Sequence, residues 1–143
     1  MRILGIDFGD RRTGVAVSDP FGWTAQGVET VTGDMDAAVA RICELAGQYG
    51  ADAIVVGYPL NMDGTAGPRA ERTDLFAARL EERSKIKAVK WDERLTSVYA
   101  ARTMRETGKS ASRNKAAIDM LSAVIILQSY LDRASAGAGP SGA

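Results

Sequence analysis

The chain has 143 residues, enough for one domain with one sizeable core. Lys plus Arg equals 18 and Asp plus Glu equals 18, so no global positive field marks a nucleic-acid binder, and any such contact must be local. There is no histidine and a single cysteine, Cys43, which excludes a Ser-His-Asp triad, a Cys-His pair, an internal disulfide and every His- or thiolate-built metal site.

A catalytic metal would therefore be held by oxygens alone, which selects a hard ion such as Mg²⁺ or Mn²⁺. The lone cysteine fits a reducing cytosol, and Met1–Leu4 enters a strand with no room for a signal peptide. The longest apolar run, Ala116–Leu131, is too short and too polar to span a bilayer.

In chain order, Arg2–Phe8 reads as a first strand and Thr13–Ser18 as a second, joined by the turn Gly9–Arg12 into an antiparallel hairpin. Ala25–Val31 reads as a third strand. Helical spacing runs from Asp34 to Tyr49, with Thr32 or Asp34 as cap and Gly50 as stop. Ala53–Gly57 is a β-branched strand, and Tyr58–Pro68 is a loop rich in Pro, Gly, Asn and Asp. Pro68 or Arg69 to Arg83 reads as a helix with Leu75, Ala78 and Leu80 facing in, and Ile86–Trp91 as a strand. Thr96 is expected to cap a helix ending near Thr107 and Gly108. Lys109–Lys115 is a basic loop, and a long helix spans about Arg113 to Arg133. Residues 134–143 are small and uncharged apart from the chain end, and read as a disordered tail behind a single domain over 1–133. A strand meander followed by alternating strands and helices predicts an α/β domain with a mixed sheet.

Three carboxylates sit in awkward places. Asp7 ends the first strand on the face shared by Ile3 and Gly5; the plain alternative is a turn-starting Asp. Glu93 follows a strand end, where ligands gather in α/β sheets, with neighbouring Asp92 as the second choice and helix capping or an ion pair with Arg94 as the plain reading. Asp119 is the only charged residue between Ala116 and Leu131, and shares its helical face with Ala116, Ala123 and Ile126. A buried carboxylate needs a cation, and the plain reading is a salt bridge, to Arg94 or Lys115. Together the three acids suggest a site for divalent metal that cleaves phosphodiesters.

The stretches GIDFGDRRTGVAVSD, VVGYPLNMDGTAG, WDERLTSVYA and KAAIDMLSAVIILQSYLD occur in that order. With that spacing they resemble the YqgF family, also called RuvX-type Holliday junction resolvases or pre-16S rRNA nucleases, over about Arg2 to Asp132. The resemblance implies an RNase H-like fold: a five-stranded mixed sheet, its first three strands antiparallel, flanked by helices. It also implies a cytoplasmic nuclease using Mg²⁺ or Mn²⁺, as two ions, with Asp7, Glu93 and Asp119 as catalytic and metal-binding residues. The implied partner is nucleic acid, pre-rRNA or branched DNA, with no membrane; a homodimer stays open, since a symmetric junction would call for two sites.

Supporting residues have physical roles beside plainer ones. Arg11 and Arg12 lie on the turn next to Asp7, placed to hold a phosphate or simply solvated. Asn61 and its loop, Arg94 with Thr96, and Lys115 with Lys109 and Arg113 offer backbone contacts. Trp23 and Trp91 offer stacking surfaces, Trp91 fitting the core better. Two other classes compete: an ATP-binding actin- or Hsp70-like phosphotransferase, which needs two such lobes, and a non-catalytic nucleic-acid-binding module on the same fold.

Overall fold

The computed structural model describes residues 1–96, 99 and 115–137. Strands β1 (Arg2–Asp7), β2 (Arg12–Ser18), β3 (Ala25–Thr32), β4 (Ala51–Tyr58) and β5 (Ala88–Asp92) form one sheet in the order β3-β2-β1-β4-β5. β1–β2 and β2–β3 pair antiparallel, whereas β1–β4 and β4–β5 pair parallel. The mixed sheet expected from the sequence, with its first three strands antiparallel, is the one observed.

Three helices are described: α1 (Met35–Tyr49), α2 (Pro68–Ser84) and α3 (Lys115–Gly137). Asp34 caps α1 by accepting from the Ala37 amide, and Gly50 closes it in the left-handed conformation at φ 63°. Pro68 opens α2, where its missing N–H costs nothing. In α2 the inward residues are Thr73, Phe76, Ala77 and Leu80. Leu75 is 45% exposed and Ala78 is also exposed, so the apolar stripe is rotated from the one expected. Phe76, not Leu75, anchors the helix, because its ring stacks on Phe8 at 4.4 Å between centroids.

Helix α3 extends to Gly137, so it covers the first four residues read as tail. The strands run slightly off the expected limits: β4 spans Ala51–Tyr58 and β5 begins at Ala88. The helix expected from Thr96 to Thr107, like Lys109 and Arg113, lies outside the described residues apart from its first positions.

The sheet separates two cores. Helices α1 and α2 cover the face carrying Leu4, Ile6, Val15, Val17, Ile54 and Val56. Helix α3 covers the opposite face, where Ile3, Ala16 and Val55 meet Ala123, Ile126, Leu127 and Leu131. Strand alternation puts Gly5 and Asp7 on this α3 face.

Candidate active site

Glycines on the α3 face set how close that helix lies. A Cβ on Gly5 would stand 2.5 Å from Leu127 Cβ, and one on Gly14 would stand 1.9 Å from the Asp119 carbonyl oxygen. A Cβ on Gly57 would meet Ile126 Cδ1 at 2.5 Å and Glu93 Cδ at 3.2 Å. Each strand has thus given up a side chain so that backbone, or a carboxylate, can occupy its place.

This bed gathers the acids. Asp7 pairs directly with Gly14 of β2, and Gly57 lies one residue beyond Val56, the β4 partner of Ile6. The two glycines flank Asp7 on the neighbouring strands. Asp119 lies over the first, and Glu93 over the second. Asp7 is 3% exposed, Glu93 0% and Asp119 4%. Three carboxylates distant in sequence are buried over one short strip of sheet.

Glu93 owes its inward direction to a tight turn. β5 ends at Asp92, and a 3₁₀ turn, Glu93–Leu95, follows at once. Asp92 caps that turn by accepting from the Arg94 amide and also binds the Arg94 guanidinium, Nη2 to Oδ2 at 2.8 Å. The guanidinium, with the amide behind it, holds the Asp92 carboxyl below the usual carboxylate range. Of the two adjacent acids, Asp92 is therefore committed to Arg94 and Glu93 is the one turned into the strip. Thr96 ends the turn by donating from its hydroxyl to the Glu93 carbonyl at 3.0 Å; here it closes a turn, whatever it begins beyond.

Asp119 has the salt bridge that a buried acid calls for, made by a residue other than the expected Arg94 or Lys115. Its partner is Arg12, whose Nε donates to Oδ2 at 2.8 Å. Adjacent-strand geometry, invisible in the sequence, brings the first residue of β2 beneath the first turns of α3.

The remaining candidates fall into two groups. Arg12 and Arg94 stand beside the acids, each engaged with a carboxylate. Arg11 is exposed on the turn after β1, and Lys115 is exposed at the described start of α3. Asn61 belongs to a loop that closes on itself: its Nδ2 donates to the Thr65 hydroxyl, and the Gly64 amide donates to its carbonyl oxygen. Arg94 ties that loop to the end of β5 through the Met62 carbonyl. Trp91 packs into the α3 core, edge-on to Tyr130 and donating to Ser129 Oγ. Trp23 is 67% exposed beside Phe21, but on the turn after Ser18, at the opposite end of β2 from Arg12. It does not line the acidic strip. Two basic residues that the sequence did not single out, Arg69 and Arg72, open α2 at the acidic end of the sheet, around a cleft shared with Phe8, Gly9 and Asp10. Their positions near the start of a helix that follows a loop were the available signal.

The donor chemistry fits a hard dication: oxygens only, buried, from three elements. The arrangement is not yet a chelate, because among the described residues no group of three acidic or sulfur side chains is placed to hold one ion. Asp119 turns instead to Arg12.

The fold defines a class, the RuvC-like RNase H architecture. RuvC from T. thermophilus bound to a Holliday junction substrate superposes with a TM-score of 0.63 at 16% identity, covering 96% of each chain. The fowlpox virus Holliday junction resolvase superposes at 0.54 and 16% identity, covering 93% of this chain and 99% of that one. At such identities the likeness is one of fold. The sequence is more specific: the family described as "RuvX: Holliday junction resolvase" matches residues 1–133, and the chain belongs to that family. Among its relatives, one from Ruminiclostridium cellulolyticum is 53% identical over 135 residues, 93% of this chain and 95% of the relative. Another from Pelotomaculum thermopropionicum is 46% identical over 150 residues, 99% of this chain and 97% of the relative. Both carry the name "Putative pre-16S rRNA nuclease".

Proposed function

We propose that this chain is a metal-dependent nuclease that hydrolyses phosphodiester bonds of structured nucleic acid, with the 5′-end processing of pre-16S rRNA as its role. One observation carries this reading: Asp7, Glu93 and Asp119, from three separated elements, are buried over one glycine-lined strip. A fold held only for stability would fill that strip with apolar side chains, as the other face of the same sheet does. Close relatives bearing the name of an rRNA nuclease support the substrate, and membership of the RuvX family supports the reaction class.

Asp7, Glu93 and Asp119 would hold Mg²⁺ or Mn²⁺, Asp7 from the middle of the strip and the other two from either side. Bound there, a divalent ion lowers the pKa of an attacking water and neutralises charge on the leaving oxygen. The carboxylates hold position and give up no proton. Arg11, Arg12, Arg94 and Lys115 are the cationic side chains offered to the nucleic-acid backbone, and Asn61 adds an amide on the adjoining loop. Residues 1–133 are the nuclease domain, working in the cytoplasm. A four-way DNA junction is the second substrate to test, favoured by the family description alone.

The test is a matched cleavage panel of single-stranded RNA, pre-16S rRNA fragments and four-way DNA, each with Mg²⁺ and with Mn²⁺. The pre-rRNA fragment is expected to be cut with either ion and not in EDTA. Asp7→Asn is expected to lower that rate by at least about 10³-fold, near 4 kcal/mol of transition-state stabilisation, with a melting temperature unchanged or raised. Unimpaired cleavage by Asp7→Asn, or its failure to fold, overturns the reading. Preferential cutting of the junction would move the role to DNA.

A further inference from the structure

We infer that Arg12 is the resident cation of the metal-free site, and that it exchanges partners when a divalent ion binds, leaving Asp119 for a phosphate of the nucleic acid. The inference rests on the metal-dependent reading above and adds to it a coupling between metal and nucleic acid.

The geometry points this way in four respects. First, Arg12 Nε lies 2.8 Å from Asp119 Oδ2, so the guanidinium already neutralises a carboxylate that a dication would draw on. A dication and a guanidinium on the same carboxylate repel one another, so binding of the ion weakens the hold of Asp119 on Arg12. Second, among the described residues no three acids form a metal-holding group while Asp119 is so engaged. Third, the exchange must be made by side chains. The Asp119 backbone already lies against Gly14, where even a Cβ would stand 1.9 Å from its carbonyl oxygen, so the helix has no room for a closer approach to β2. Fourth, the two partners differ in freedom. The Asp119 side chain is 6% exposed and the Arg12 side chain 34%, so the acid is buried in the strip while the guanidinium borders solvent. Arg12 begins β2 directly after the turn that carries Arg11, so a released guanidinium stays beside the strip. Its planar donor fork matches a phosphate as well as it does a carboxylate.

The consequence is ordered assembly. Without metal, Arg12 offsets the charge of a buried acid. With metal, that charge is met by the ion, and Arg12 becomes available for substrate. Each ligand then favours the other, as linkage requires.

The test needs no turnover. Mn²⁺ is titrated calorimetrically into the full chain without nucleic acid, for wild type, Arg12→Gln, Arg12→Lys and Arg11→Gln. Arg12→Gln is expected to bind Mn²⁺ about tenfold more tightly than wild type, equal to about 1.4 kcal/mol. Arg12→Lys should fall between the two, and Arg11→Gln should match wild type. If Arg12→Gln is fragile without metal, its melting temperature should rise more on adding Mn²⁺ than that of wild type. Binding to a pre-16S rRNA fragment, followed by anisotropy against salt, supplies the second half. In Ca²⁺ the wild-type salt slope should exceed that of Arg12→Gln by about one phosphate contact, and in EDTA the two should coincide. Equal or weaker Mn²⁺ binding by Arg12→Gln overturns the exchange and makes Arg12 a residue that positions Asp119. Absence of Mn²⁺ binding in every variant overturns the metal site itself, and the exchange with it.

Discussion

The two faces of this one sheet are built to opposite rules. On the α1/α2 side, Leu4, Ile6, Val15, Val17, Ile54 and Val56 interlock with Ile42, Leu45, Phe76 and Leu80, all buried. On the α3 side, Ile3, Ala16 and Val55 keep a smaller apolar patch, Gly5, Asp7, Gly14 and Gly57 take the remaining positions, and the helix answers with Ala123 and Asp119. The first face maximises buried apolar area. The second gives up that area to bring a helix backbone and three carboxylates together. Adjacent residues of one strand thus feed the apolar core and the acidic strip in alternation, a direct result of period-two geometry.

The contrast can be attacked from either side. Phe76→Ala removes a fully buried ring stacked on Phe8 and should cost about 3–5 kcal/mol. Denaturant unfolding measures the loss; the cleavage rate of the molecules that remain folded should match wild type. Gly57→Ala acts on the other face, where the new methyl would meet Ile126 and Glu93. It should cost about 1–3 kcal/mol and, unlike Phe76→Ala, should lower the rate of the folded enzyme. Gly47→Ala is the control for glycine itself. It lies exposed within α1, where a new methyl would meet nothing within 4 Å, so thermal melting should show a gain of about 0.5–1 kcal/mol.

The smallest effect concerns pH. Arg41 hydrogen-bonds Glu29 and holds its carboxyl below the ordinary value of 4.5. A depressed folded pKa means stability that is present above pH 4.5 and is lost as pH falls through the folded value. Glu29→Gln should therefore cost about a few tenths of a kcal/mol at neutral pH, this being a half-exposed pair, and nothing once the acid limb is passed. Urea midpoints measured from about pH 3 to about pH 7 would show the two curves converging at the acidic end.

Much of this was legible beforehand, for physical reasons. Strand alternation and the α1 cap, read as Thr32 or Asp34 and found at Asp34, are local signals. Asp119 stood out because a lone charge among apolar residues has few explanations. The partner of Asp119 was not legible, since Arg12 reaches it only after β2 has been folded back along β1 and α3 laid across both. The rotated stripe of α2 was hidden by composition. Leu75 and Phe76 are neighbours, and only the position of the Phe8 ring decides which turns inward. Gly14 and Gly57 stand within or at the end of expected strands with no role of their own in the sequence, and the purpose they share with Gly5 appears only when α3 lies on them.

The core under α1 and α2 draws every member from residues 4–88, whereas the opposite core needs Ala123 to Leu131. A ribosome making this chain would therefore release a domain already able to collapse on one side long before the last carboxylate has left the exit tunnel. The acidic strip would be complete only once the segment of α3 that carries Asp119 has emerged, so a copy made as far as residue 88 could collapse on one side while the strip still lacked its third acid.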